Sequence, residues 1–143
     1  MVKMRLNKNS KGVKFPRNSH SFEYKGDISL MESLGDSLEI RLDSPIHIFG
    51  NVKVSGDIRS LNGIIVHGNL ECSNLYSFGV IQCTGNLVVK GTIFSLYSIH
   101  VKKKISAHTI TTTGEVVGSE IEAPTIHAEM GSISGVIYEE IGS

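Results

Sequence analysis

The sequence predicts an all-β fold, a single-domain right-handed parallel β-helix (solenoid) of about six coils. The first observation is a repeat: between Ile46 and Ser98 one pattern occurs three times, with a period of about 17 to 18 residues. The second is that apolar residues alternate along short runs, which glycine or asparagine separates. Together they are typical of coils that stack at about 4.8 Å around a narrow core.

The core is predicted from five columns of apolar or small residues, found by aligning the copies on Gly50, Gly68 and Gly85. Side chains alternate sides along a strand, so every second residue points inward. A single coil cannot bury this inner face, which is why neighbouring coils are required. The columns are Ile46, Ile64, Ile81; Ile48, Val66, Cys83; Val52, Leu70, Leu87; Val54, Cys72, Val89; and Ile58, Leu75, Ile93.

The corners are predicted from three further columns. Gly56, Asn74 and Gly91 indicate left-handed backbone, because asparagine tolerates that conformation best after glycine. A second column is expected to hydrogen-bond from coil to coil through stacked amides, and a third to satisfy backbone groups through hydroxyls. These two columns are Asn51, Asn69, Asn86, and Ser60, Ser77, Ser95 with Thr112.

The repeat is predicted to extend in both directions. Backwards, a shift by one full period makes an edge coil; forwards, the period contracts to about 16 after a fifth coil, with one residue lost near Gly114. Pro124 lacks an amide hydrogen and is expected at a corner or strand end. The edge coil contains Ile28, Leu30, Leu34, Ile40 and Asp36 in the column of Val54; the fifth coil Ile99, Val101, Ile105, Ala107 and Ile110, with Lys103 and Lys104 replacing Gly-Asn; the next Val117, Ile121, Ala123 and Ile126.

Composition and charge divide the chain into a basic N-terminal arm, residues 1–27, and a β-helix domain, residues 28–143. The 143 residues suffice for one core, and the formal net charge of zero gives no electrostatic argument for nucleic acid. The arm has no apolar run long enough for a signal peptide or a transmembrane helix, so we expect a cytoplasmic protein. Residues 1–17 contain no acid and six basic side chains: Lys3, Arg5, Lys8, Lys11, Lys14 and Arg17.

Three interpretations of the arm remain open. It is a solvated flexible segment, or it binds an anionic membrane through those six basic residues, each contributing about 1 kcal/mol near the surface. The third is that Met4, Leu6 and Phe15 cover the open first coil, since terminal repeats of solenoids are atypical.

Chemistry-bearing residues give little indication of catalysis. Cys72 and Cys83 fall in inward columns and are expected to be buried free thiols. His47 and His100 share a column three coils apart, about 14 Å, which is too far for one metal ion. Asp36 and Asp57 are one coil apart if the repeat extends backwards, and corner aspartates serve turns more often than catalysis. No catalytic residue, cofactor or metal is therefore expected, and Lys102, Lys103 and Lys104 are interpreted as a solvated face.

The coils GNVKVSGDI, GNLECSNL and GNLVVKGTI, preceded by a short basic arm, resemble the bactofilins. That resemblance implies a right-handed β-helix that polymerises without nucleotide through its end coils, membrane attachment through the arm, and a cytoskeletal scaffolding role in cell shape or the envelope. The alternative is a β-helical carbohydrate-binding or carbohydrate-modifying protein, for which Tyr76, Phe94 and Tyr97 are scattered.

The self-assembly surface is predicted at the C-terminal end, because open sheet edges recruit further strands. An alternative is that this segment folds across the last coil as a plug. The residues concerned are Ile133, Val136, Ile137, Tyr138 and Ile141.

Overall fold

The computed structural model describes residues 1–129 and 133–138. All regular secondary structure in this part of the chain is β-strand, which confirms the predicted all-β parallel solenoid. The strands are β1 (Lys3–Leu6), β2 (Val13–Lys14), β3 (Phe22–Lys25), β4 (Ile28–Leu30), β5 (Ser37–Ile40), β6 (Ile46–Phe49), β7 (Val52–Val54), β8 (Asp57–Ser60), β9 (Ile64–Val66), β10 (Leu70–Cys72), β11 (Asn74–Ser77), β12 (Ile81–Cys83), β13 (Leu87–Val89), β14 (Thr92–Ser95), β15 (Ile99–Val101), β16 (Lys104–Ser106), β17 (Thr109–Thr112), β18 (Val116–Glu122), β19 (Thr125–Ala128) and β20 (Ile133–Tyr138).

The strands wind around three faces. Face 1 contains β2, β3, β6, β9, β12 and β15; face 2 contains β4, β7, β10, β13 and β16; face 3 is a seven-stranded sheet, β1-β5-β8-β11-β14-β17-β19. The long strand β18 turns from face 1 to face 2, pairing first with β15 and then with β16, and β20 follows it. From β6 to β19 the chain makes about five turns; β1–β5 form an irregular first turn and β20 begins another.

The predicted core columns are confirmed. Leu70, for example, lies in register with Val52 on one side and Leu87 on the other. All fifteen residues of the five columns are at most 2% exposed. The next turn follows as predicted, with Ile105 opposite Leu87. The interior is therefore one continuous stack of branched apolar side chains.

The first turn does not follow the predicted shift. Ile28 pairs with Val52 on face 2 rather than with Ile46, whose partner is Phe22. Leu34, expected in the core, is 92% exposed in the connection between β4 and β5. This connection lengthens the turn, so a fixed shift by one period cannot align its strands.

Two more positions of that turn are corrected. Leu30, not Asp36, lies opposite Val54. Ile40 is buried as expected, but it pairs with Ser60, two positions beyond the predicted one. Apart from Leu34, the prediction placed the apolar residues of this turn in the core correctly but gave them the wrong neighbours.

The contraction near the C-terminal end occurs inside a strand. Val116, rather than the predicted Val117, is buried, and the register shifts between Val117 and Glu120 instead of near Gly114. Gly118 takes the inward place at this shift, where a Cβ would lie 3.1 Å from a core isoleucine. Beyond the shift the prediction holds: Ile121 and Ile126 occupy their columns, and Pro124 lies between β18 and β19.

The corner column Gly56, Asn74 and Gly91 was wrongly predicted. None of the three has a positive φ, and Asn74 lies opposite Asp57, so the shortened turn lost its residue before Asn74 rather than after it. Glycine is needed at Gly56 for a different reason. A Cβ there would lie 2.7 Å from the backbone carbonyl oxygen of Asp36 in the preceding turn.

The asparagine ladder is present, but its partners are backbone amides rather than stacked side chains. Asn51 Oδ1 accepts the Asn69 N–H at 2.9 Å, and Asn69 Oδ1 accepts the Asn86 N–H at 2.8 Å. The ladder is longer than predicted, because Asp27 accepts the Asn51 amide and Asn86 accepts that of Lys104. One side-chain oxygen per turn thus holds the backbone of the next turn at hydrogen-bonding distance.

The hydroxyl ladder is confirmed. Its four members are at most 3% exposed and lie in register with one another. Ser77 Oγ, for instance, donates to the Gly79 carbonyl, and Ser95 Oγ donates to the same oxygen at 2.8 Å. These hydroxyls satisfy backbone groups where face 3 turns towards face 1.

Candidate functional site

The N-terminal end of the solenoid is built from the segment predicted as an arm. β1 pairs in parallel with β5, and Leu6 is 1% exposed while Met4 packs against the core. Further along, β2 pairs antiparallel with β3, and the Phe15 ring packs edge-on against Phe22 at 4.7 Å between centroids. Lys3–Leu6 is therefore an edge strand of face 3 rather than a solvated segment.

Glu39 gathers three cations at this end. Lys3 Nζ lies 3.2 Å and Arg5 Nε 3.8 Å from its carboxylate, and Arg41 forms a third ion pair. The Arg41 and Lys3 hydrogen bonds hold the pKa of Glu39 below its usual value. Because one carboxylate is shared by three cations, this cluster has a net positive charge.

The other four basic residues are exposed. They lie in the connections around β2 or in β2 itself, and within the described residues none forms an ion pair. They are Lys8, Lys11, Lys14 and Arg17.

The C-terminal end carries β19 and β20. In the described chain, β19 is the last strand of face 3, and β20 pairs only with β18. Ile126, Ala128 and Ile133 pack against the core but remain partly exposed. The predicted assembly residues Ile133, Val136, Ile137 and Tyr138 belong to β20, whereas Ile141 lies outside the described residues.

An apolar corner was missed by the sequence reasoning. Leu61, Phe78 and Leu96 follow face 3 in three successive turns and are 55%, 52% and 40% exposed. Tyr76 and Phe94, expected to be scattered, are direct register partners on the same face. A groove of about 500 Å³ lies beside these side chains, and Leu61, Tyr76 and Phe78 are among the residues that line it. The register of face 3, had it been followed to outward positions, would have shown this.

A histidine pair on face 1 was also missed. His47 and His67 lie on different columns, yet His47 Nδ1 is 2.8 Å from His67 Nε2, and the Phe49 ring stacks on His67 at 4.5 Å. Burial, then the nearby His47 and Lys102, hold the pKa of His67 below its ordinary value. The lowered pKa favours the neutral form of His67 in this pair.

The remaining candidate chemical groups have local structural partners. Cys72 and Cys83 are free and buried as predicted, and burial raises both thiol pKa values, which disfavours the reactive thiolate. Asp36 accepts the Val2 and Ser33 amides, chiefly the former, which lowers its pKa. No group of three or more metal-ligating side chains occurs among the described residues.

Asp57 accepts a hydrogen bond from Asn74 Nδ2 at 3.0 Å and lies 3.6 Å from Arg59. In the lysine run, Lys102 and Lys103 are exposed, while Lys104 Nζ lies 2.7 Å from Glu122. The Asn74–Asp57 and Lys104–Glu122 contacts join adjoining turns, and these groups do not converge on a common point.

Comparison with known proteins yields no relative: no family model, curated protein or solved structure matches the chain significantly. Over the described ranges, the chain contains no helix of the length and apolar character needed to cross a membrane.

Proposed function

We propose that this protein is a non-enzymatic, self-assembling scaffold of the bactofilin type that polymerises through its end turns. The observation that carries the proposal is the C-terminal end. Ile110 is fully buried, whereas Ile126, its register partner in the last turn, is partly exposed and belongs to β19, which has one unpaired edge in the described chain. A further copy would complete both the core and the sheet.

The basic N-terminal segment supports a peripheral association with an anionic membrane on the cytoplasmic side. Four exposed cations without ion-pair partners in the described chain are suited to lipid headgroups. Lys3 and Arg5, which contact Glu39, contribute less. Neutralising Lys8, Lys11, Lys14 and Arg17 to glutamine should abolish co-sedimentation with acidic vesicles and leave the melting temperature unchanged. Binding that resists both neutralisation and raised salt would contradict this part of the proposal.

Assembly is tested by sedimentation and negative-stain electron microscopy over a concentration series. We expect elongated particles whose length grows with concentration. A protein that stays monomeric at the highest soluble concentration would overturn the scaffold function.

Carbohydrate binding is the second candidate, and the aromatic side chains beside the apolar corner favour it. Aromatic rings stack on sugar faces; Tyr76 lies next to Phe94 on face 3, and Tyr76 lines the groove. Calorimetric titration with neutral oligosaccharides, with Tyr76→Ala as the matched variant, tests it. Heat of binding that the variant loses would support this function; none with the wild type would contradict it.

A further inference from the structure

The Arg59 side chain is held across face 3 by its neighbour in the next turn. Arg59 and Tyr76 are register partners on β8 and β11, and both point outward. The Arg59 Cζ atom lies 4.9 Å from the centroid of the Tyr76 ring, within the range of a cation–π contact. The guanidinium is therefore oriented before any ligand arrives.

The hydrogen-bond donors of Arg59 are available. Its ion-pair partner, Asp57 Oδ2, lies 3.6 Å from Nη2, which is too far for a hydrogen bond. The other Asp57 oxygen accepts the Asn74 side-chain amide at 3.0 Å. Within the described residues the Arg59 side chain donates no hydrogen bond, and it is 63% exposed. A guanidinium in this state offers the planar pair of N–H groups that a carboxylate accepts.

The groove beside Arg59 carries a positive charge. Lys3 and Arg59 line it, and among the described residues Glu39 is the one acid that does so. Glu39 also pairs with Arg5 and Arg41, so its negative charge is already balanced. The groove therefore attracts an anion and repels a cation.

The apolar side of the groove is formed by Leu61 and Phe78. They follow Arg59 and Tyr76 by two residues in the same two turns and are 55% and 52% exposed. The groove crosses β5, β8 and β11, a length of about 10 Å at the usual strand spacing. Its volume of about 500 Å³ suits a small molecule. A ligand that fills it has to present a negative charge and an apolar body together.

We propose that this groove is a binding site for a small aromatic carboxylate. The carboxylate accepts two parallel N–H bonds from Arg59, with Lys3 as the second cation, and the ring packs on Phe78 and Leu61. Arg59 supplies the specificity, because its planar fork of donors matches a carboxylate and not a neutral amide. The site requires neither an end turn nor a second copy, so it goes beyond self-assembly and is independent of it.

Binding is tested by titrating the full chain with cinnamate and recording saturation-transfer difference NMR, which works on monomers and polymers alike. The ligand efficiency of small molecules leads us to expect a Kd of about 1 mM. Two probes separate the two parts of the ligand: cinnamamide keeps the ring without the charge, and acetate keeps the carboxylate without the ring. Each should bind at least about tenfold more weakly than cinnamate. Equal binding of either probe would overturn the proposal.

The site is located with Arg59→Gln and its matched control Lys53→Gln. The two cations are 63% and 59% exposed and form ion pairs of 3.6 and 3.7 Å, but Lys53 lies on face 2, outside this groove. Arg59→Gln should weaken cinnamate binding about tenfold, whereas Lys53→Gln should bind like the wild type. Arg59→Lys, which keeps the charge without the fork, should fall between them. An equal effect of Arg59→Gln and Lys53→Gln, with melting temperatures unchanged, would overturn the assignment of Arg59.

The outcomes also separate this site from self-assembly. A wild-type protein that polymerises but binds no cinnamate overturns the ligand site alone. A wild-type protein that binds cinnamate through Arg59 and stays monomeric supports the ligand site and overturns the scaffold function.

Discussion

Replacing Leu87 by alanine tests whether the stacked column supplies the stability. Leu87 is completely buried between Leu70 and Ile105, its register partners in the turns on either side. Removing three carbon atoms at about 0.8 kcal/mol each loses about 2.4 kcal/mol of transfer free energy. The two flanking strands are held in register, so the site cannot collapse, and the cavity term brings the expected loss to about 3–5 kcal/mol.

The matched control is Val88→Ala in the same strand. Val88 points outward and is 39% exposed, so its truncation should cost about 1 kcal/mol or less. Urea denaturation of both variants, monitored by circular dichroism, gives the two free energies of unfolding. A Leu87→Ala loss no larger than that of Val88→Ala would refute the column as the source of stability.

Three further predictions follow from individual contacts. Asn69→Ala, which removes one rung of the ladder, should lower the free energy of unfolding by about 1 kcal/mol, whereas Asn69→Asp, which keeps the acceptor, should lower it less. Gly79→Ala should cost about 3 kcal/mol in the same assay, because its Cβ would meet a backbone nitrogen of the preceding turn that cannot move aside. His67 has a pKa below its ordinary 6.5, so stability present above pH 6.5 should fall as the pH drops below it, and His67→Gln should flatten this dependence in melting curves.

The interior columns could be predicted because the equivalent position in each neighbouring turn must also be apolar. Leu70 and Leu87 must be apolar for one reason, burial between two turns, and that reason appears in the sequence as a period. Where turns differ in length, the period is lost. The connection ending at Asp36 and the shortening at Gly118 change the spacing without changing which residue types are buried, so the columns survived and their alignment did not.

The candidate surfaces were harder to predict because they depend on neighbours across turns. His47 and His67 stand on different columns and meet only through a diagonal contact. Likewise Leu61, Phe78 and Leu96 become a surface only when the register stacks them. For β1 no repeat exists to detect, since the strand precedes the first regular turn and pairs with β5 across a long stretch of chain.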